Sequence, residues 1–128
     1  MNTGFSGPLD LRAHKPGEWV VLNPLIYESL SGRSYGIPAG FITDLASIPA
    51  LLRPLYSQND ASRKAAVLHD SRYCLKHGDR KDADELFLEA LERSGVGFLR
   101  RWSMYAGVRA GGWIYWNKRS GMTEADFI

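Results

Sequence analysis

The residues of this chain best suited to chemistry are His69 and Tyr73, four apart, Asp70 beside the first, and Asp84 fifteen positions on. On a helix, positions i and i+4 share a face, so His69 and Tyr73 point the same way while Asp70 lies about 100° round the axis. A second helix starting near Lys81 would carry Asp84 in its first turn. Antiparallel packing of the two helices sets that carboxylate beside the imidazole and leaves Asp70 to face an ion or substrate. A base, a group that orients it and a charged ligand together form a hydrolytic constellation. Asp44, at the exit of the strand-rich half, is a second carboxylate that could join Asp70 as a metal ligand.

Each residue also has an ordinary structural use. A histidine facing a tyrosine on one helix is commonly a satisfied core group, and an aspartate in a first turn complements the helix dipole. Asp70 has Lys64, Arg72 and Lys76 within reach as ion partners, and Asp44 suits an N-cap or Asx turn. What favours chemistry is the set: a weakly apolar helix face holding His, Asp and Tyr needs a reason to exist.

The elements that must position this set divide the chain in two. Residues 8–44 read as strand-rich: Leu9 to Ala13 alternates, Trp19–Leu22 and Leu25–Leu30 are short apolar runs, and turn signals separate them at Lys15-Pro16-Gly17, Asn23-Pro24 and Ser31-Gly32-Arg33. Tyr35–Ile42 reads as a last strand bent at Pro38 or Gly40. Pro49 suits the first position of a short helix. From Asn59-Asp60 the period becomes helical up to about His77, where Gly78 can end it. Asp79 or Asp82 caps a second helix, with Asp82 and Glu85 at capping-box spacing, and Gly95 closes it. A third helix starts near Val96; Gly107 and Gly111 permit close approach, although Gly111-Gly112 can equally break it. The expected fold is α+β, a single domain over 1–128, with a small N-terminal antiparallel sheet of three or four strands (8–44) covered by about three helices (49–117).

Composition narrows the function classes. The 128 residues carry 45% apolar and 23% charged side chains, the range of ordinary globular domains. A formal charge of +2 is too small to argue for nucleic acid. Arg100-Arg101, Arg109 and Lys118-Arg119, interleaved with Trp and Tyr, read first as a basic rim on a core helix and second as a surface for phosphate or lipid headgroups. The one cysteine, Cys74, can form no internal disulfide. The first residues have neither a basic nor an apolar signal region, and no run approaches membrane-spanning length. Synthesis in a reducing cytoplasm is therefore expected.

No Gly-rich phosphate loop, C-x-x-C pair or H-E-x-x-H occurs. Residues 59–73, ending in Leu68-His69-Asp70-Ser71-Arg72-Tyr73, with Ala83-Asp84-Glu85-Leu86-Phe87, resemble the His-Asp-x-x-Tyr and Ala-Asp-x-x-Phe helices of phospholipase A2 domains, most of all the disulfide-free viral capsid type. That resemblance implies that His69 activates water, Asp70 binds calcium, and Asp84 with Tyr73 orients the histidine. It covers about a fifth of the chain, and the family's glycine-rich calcium loop has no counterpart just before His69. Zinc, through His69, His77 and an aspartate, is the weaker alternative metal. A longer stretch, Gly40-Phe41-Ile42-Thr43-Asp44-Leu45-Ala46-Ser47-Ile48-Pro49, then Ala65–Asp70, then Ala83-Asp84-x-x-Phe87, resembles a small phage and prophage family of uncharacterised function often encoded among tail genes. It implies a phage setting, with other phage structural proteins or a second copy as partners.

Two functions are expected from these readings. One is a phage-encoded, metal-assisted hydrolase acting on a lipid ester or other envelope component, with His69, Asp84 and Tyr73 catalytic and Asp70 and Asp44 on the metal. The other is a non-catalytic tail or assembly protein in which the same cluster braces the helices against the strand exit.

Overall fold

A computed structural model describes residues 3–14, 18–43, 60–75 and 78–118. Five short strands come first: β1 (Leu11–Ala13), β2 (Trp19–Val21), β3 (Leu25–Glu28), β4 (Ser34–Ile37) and β5 (Ile42–Thr43). Three helices follow, α1 (Asp60–Leu75), α2 (Arg80–Arg93) and α3 (Phe98–Lys118). The α+β architecture is as expected, but the strands form two antiparallel sheets rather than one, β1-β2-β5 and β3-β4.

The split has a local cause. The stretch expected as one bent strand, Tyr35–Ile42, is broken by a turn in which Phe41 N–H donates to Pro38 O and Gly40 takes φ +91°, a left-handed value glycine adopts without steric cost. Beyond that turn Gly40 N–H donates to Val21 O at 2.7 Å and Phe41 O accepts from Val21 N–H, so the chain leaves β4 and pairs with β2. β3 and β4 remain a hairpin, closed where Ser29 N–H donates to Arg33 O and Gly32 takes φ +88°. Within β3 the period of two is clean: Leu25 and Tyr27 are buried, Ile26 and Glu28 exposed.

The sheets contribute Val21, Leu25, Tyr27, Ile37 and Phe41 to one core with Phe87, Leu91, Val96 and Met104 of the helical half. α1 lies in the middle of it. Ala65, Ala66, Val67 and Leu68 are all buried in succession, because α1 packs against β4, β5, α2 and α3 and so has almost no solvent face at this level. That is why its apolar periodicity is weak: a helix covered on several sides needs no stripe.

α2 is capped by Asp79, whose carboxylate accepts from Asp82 N–H at 2.8 Å. The Asp82/Glu85 box is not what caps it; Glu85 instead faces Lys81 at 3.8 Å. Ser94 and Gly95, the latter at φ +87°, end it as a glycine C′ should. α3 runs straight through Gly111-Gly112 without breaking. The expected helix after Pro49, the Lys15-Pro16-Gly17 turn and the position of His77 lie outside the described residues. No helix among the described residues is long and apolar enough to cross a membrane.

Candidate active site

The middle of α1 and the second turn of α2 meet as their sequence spacing predicts. His69 Nε2 lies 2.6 Å from Asp84 Oδ1, and the Tyr73 hydroxyl donates to the same oxygen at 2.6 Å. The imidazole is clamped by aromatic rings on two sides, Tyr73 at 4.2 Å and Phe87 at 4.8 Å between centroids, and Tyr73 in turn meets the edge of Trp116 at 5.2 Å. These contacts fix the ring's plane as well as its position.

Asp84 is fully buried, and its other oxygen is also taken: Arg109 Nη1 donates to Oδ2 at 2.8 Å and Arg80 Nη1 approaches it at 3.4 Å. Burial by itself would push this carboxyl's pKa up. The hydrogen bonds from His69 and Tyr73, the charge of His69 and the hydrogen bond from Arg109 outweigh that and hold it below the ordinary carboxylate value. Tyr73 goes the other way, its pKa raised by burial and by its bond to Asp84, so it stays a neutral hydroxyl donor.

The tautomer of His69 follows from these states. An ionised carboxylate can only accept, so Nε2 carries the proton that faces Asp84, and in the neutral ring the lone pair sits on Nδ1. The side chain of His69 is 12% exposed and that of Asp84 0%, so the pair is shielded at the carboxylate end and reaches solvent only at the imidazole. A ring held this way can take a proton at one nitrogen while the opposite nitrogen remains anchored, which is what a general base requires.

Asp70 points elsewhere. Its Oδ2 accepts from Thr43 Oγ1 at 2.9 Å, and Thr43, fully buried at the end of β5, ties the sheet to α1 one residue away from the base. Asp44, the next residue in sequence, lies outside the described residues. Calcium takes six to eight oxygens; among the described residues no group of three or more His, Cys, Asp and Glu side chains is poised for a metal, and Asp70 is the one carboxylate beside His69 not already committed to the imidazole.

The sequence reading brought His69, Tyr73 and Asp84 together correctly and missed both arginines. Asp84 is not in the first turn of its helix, since α2 begins at Arg80 and its first-turn acid is Asp82. It is therefore held by side-chain donors in place of free backbone N–H groups. Arg80, four residues before Asp84, stood at ion-pair spacing and could have been found. Arg109 read as part of a basic rim, yet it turns inward; nothing in the local sequence signals this, because its partner lies on another helix. Arg80 also donates to Val108 O at 2.9 Å and Arg109 O at 3.2 Å, fastening α2 to α3 at the height of the site. Gly112 was singled out only as a potential break. A Cβ there would collide with the Tyr73 hydroxyl and stand 3.0 Å from Arg80 Nη1, so α3 can approach the cluster only because this position has no side chain.

A second polar group lies at the opposite end of α2. The buried Tyr27 hydroxyl donates to Glu89, and Arg93 Nη1 reaches Tyr27 at 3.3 Å and Glu28 O at 2.7 Å. A cleft of about 530 Å³ between the β3-β4 hairpin and α1 and α2 is lined by Arg33, Tyr35, Arg72, Asp82, Glu85 and Glu89 among others, and does not include His69.

A model of the family described as "Protein of unknown function (DUF1353)" matches residues 19–108. The match takes in Thr43, His69, Asp70, Tyr73, Arg80, Asp84 and Phe87, while Arg109, Gly112 and Trp116 lie just beyond it. No curated protein and no solved structure matches the chain.

Proposed function

The chain belongs to the DUF1353 family of proteins of unknown function, and from the site alone we propose that it is a hydrolase in which His69 activates water for attack on an ester. The observation that carries this reading is the bond between His69 Nε2 and Asp84 Oδ1, reinforced on the same oxygen by Tyr73, because it leaves Nδ1 as the basic nitrogen. Water adds to the acyl carbon as its proton passes to Nδ1. Collapse of the tetrahedral intermediate returns that proton to the departing alkoxide, giving acid and alcohol. Asp84 stays ionised throughout and orients the ring, and Tyr73 and Arg109 hold Asp84. A positioned base of this kind contributes about 10²–10⁴-fold.

The substrate we propose is a lipid ester or another component of the cell envelope, in a phage setting and in association with tail proteins. The likeness of residues 59–73 and 83–87 to phospholipase A2 helices, and of the stretch from about Phe41 to Arg109 to a small phage and prophage family, supports it. Asp70 is the proposed cation ligand together with Asp44, because carboxylate oxygens are of the hard type calcium takes; zinc, which favours nitrogen and sulfur, suits that pair less. A cation there would supply positive charge for the developing oxyanion. The test is hydrolysis of short-chain and phospholipid esters by wild type and His69→Ala, each with added calcium, with added zinc and with chelator. Turnover lost in His69→Ala supports the reading; no turnover in wild type under any of these conditions removes it.

A non-catalytic brace is the second reading, and one observation favours it: the fully buried Asp84 accepts from side chains of all three helices. In that case the variants would lose stability and there would be no turnover to lose.

A further inference from the structure

α3 divides its side chains in an unexpected way. Its exposed face is largely apolar, with Leu99 80% and Trp113 56% accessible and Ser103 and Asn117 as its polar members, and among its described side chains no ionisable one lies on that face. Of its three arginines, Arg109 turns to Asp84 and Arg101 to Val96 O at 3.3 Å and Glu92 at 3.9 Å, while Arg100 has its Nη2 buried. A surface helix ordinarily does the reverse and turns its charges to water.

The order of residues along the face is informative. Counting outward from Val108, Ala106 mirrors Ala110, Ser103 mirrors Trp113, Trp102 mirrors Ile114 and Leu99 mirrors Asn117; all eight are exposed. Any helical stripe has such mirrored positions. What this sequence adds is residue type: two alanines at the centre, where crossing helices come closest, and a small side chain set opposite a Trp further out. We propose that this face is a two-fold interface between two copies of this chain, formed by antiparallel α3 helices whose axis of symmetry passes between Ala106 and Ala110, at the height of Val108 on the opposite, core-facing side. In a two-fold contact residue i meets j and j meets i, so each of these pairs occurs twice.

Charge and area agree with that occupant. A face without ionisable groups brings no like charges together when it meets itself. The half-exposed rings of Trp102 and Trp113, with Leu99, Ile114 and the smaller residues between them, offer on the order of 600 Å² per copy, the lower end of what specific interfaces bury. The dimer expected is therefore one of micromolar affinity. A lipid surface fits less well, since interfacial helices border their apolar face with cations, and Arg101 and Arg109 are turned inward. The proposal does not depend on the hydrolytic reading.

The test is sedimentation equilibrium of the full chain across the micromolar range, alone and with vesicles containing anionic phospholipid. Wild type should be a dimer. Ala106→Glu with Ala110→Glu should be a monomer, its dissociation constant raised at least tenfold. Ala106→Lys with Ala110→Glu should remain a dimer, because antiparallel pairing sets Lys opposite Glu at both central contacts, whereas parallel pairing would oppose like charges. Both double variants alter only exposed positions, and circular dichroism confirms their fold. A wild type that is monomeric throughout, including one that sediments only with vesicles, overturns the proposal. So does a dimer that the Glu pair leaves intact or that the Lys/Glu pair dissociates.

Discussion

Asp84 is the residue on which the cluster turns, and its substitution separates charge from shape. Asp84→Asn keeps the volume but leaves Arg80 and Arg109 facing a neutral amide in a buried place. Removing one member of a buried ion pair costs about 3–5 kcal/mol, and urea denaturation should show a loss of that size. If His69 is a base, the same change should lower turnover by up to about 10⁴-fold, since an amide NH₂ turned toward Nε2 favours the wrong tautomer. Tyr73→Phe is milder. It keeps the ring against His69 and Trp116 and removes one hydrogen bond to a charged group, about 1.5–3 kcal/mol. The pH dependence has a definite sign. Because the folded pKa of Asp84 lies below the unfolded value of about 3.9, its stabilisation is complete above that value and is lost as pH falls through the lowered one. Acid denaturation of wild type should therefore steepen below about pH 3.9, and Asp84→Asn should lack that component.

At the scale of elements, the two adjacent glycines of α3 give opposite predictions. Gly112→Ala forces a Cβ into the Tyr73 hydroxyl and against Arg80, so overpacking of about 1–3 kcal/mol is expected, together with a disturbed His69 site. At Gly111 a Cβ meets nothing within 4 Å, and Gly111→Ala should stabilise the helix by about 0.5–1 kcal/mol. Thermal melts of the two variants, shifted in opposite directions, check both. This pair also marks how far the sequence could be read. Helix boundaries were legible because caps and breakers are local: Asp79 and Gly95 stand where a cap and a C′ glycine belong. The i, i+4 spacing of His69 and Tyr73 was legible for the same reason. Which glycine of 107, 111 and 112 mattered was not, because the answer depends on what a different helix places opposite it. Arg109 was misread on the same ground, and the two-sheet split was hidden because only the tertiary pairing of β2 with β5 turns a bend at Gly40 into a strand end.

At the scale of the whole molecule, the link between the sheets and the helices passes beside the candidate site. Thr43, fully buried on β5, donates to Asp70 on α1, and Cys74, also fully buried, sits one helical turn beyond Asp70. Thr43→Val keeps the shape of the side chain and leaves the carboxylate without that donor, so the loss expected is that of a hydrogen bond to a charged group, at the lower end of about 1.5–3 kcal/mol. Cys74 supplies the readout, because a buried thiol reacts with a thiol reagent only when the surrounding structure opens. If β5 and α1 open together, Thr43→Val should speed labelling of Cys74 about tenfold, as a loss near 1.4 kcal/mol implies, and by the same factor that urea denaturation reports. If labelling stays at the wild-type rate while urea denaturation reports the loss, Cys74 becomes reachable through an opening of α1 that leaves Thr43 and Asp70 joined. α1 would then open around Cys74 while still tied to β5, and breaking the Thr43–Asp70 bond would be no part of that opening.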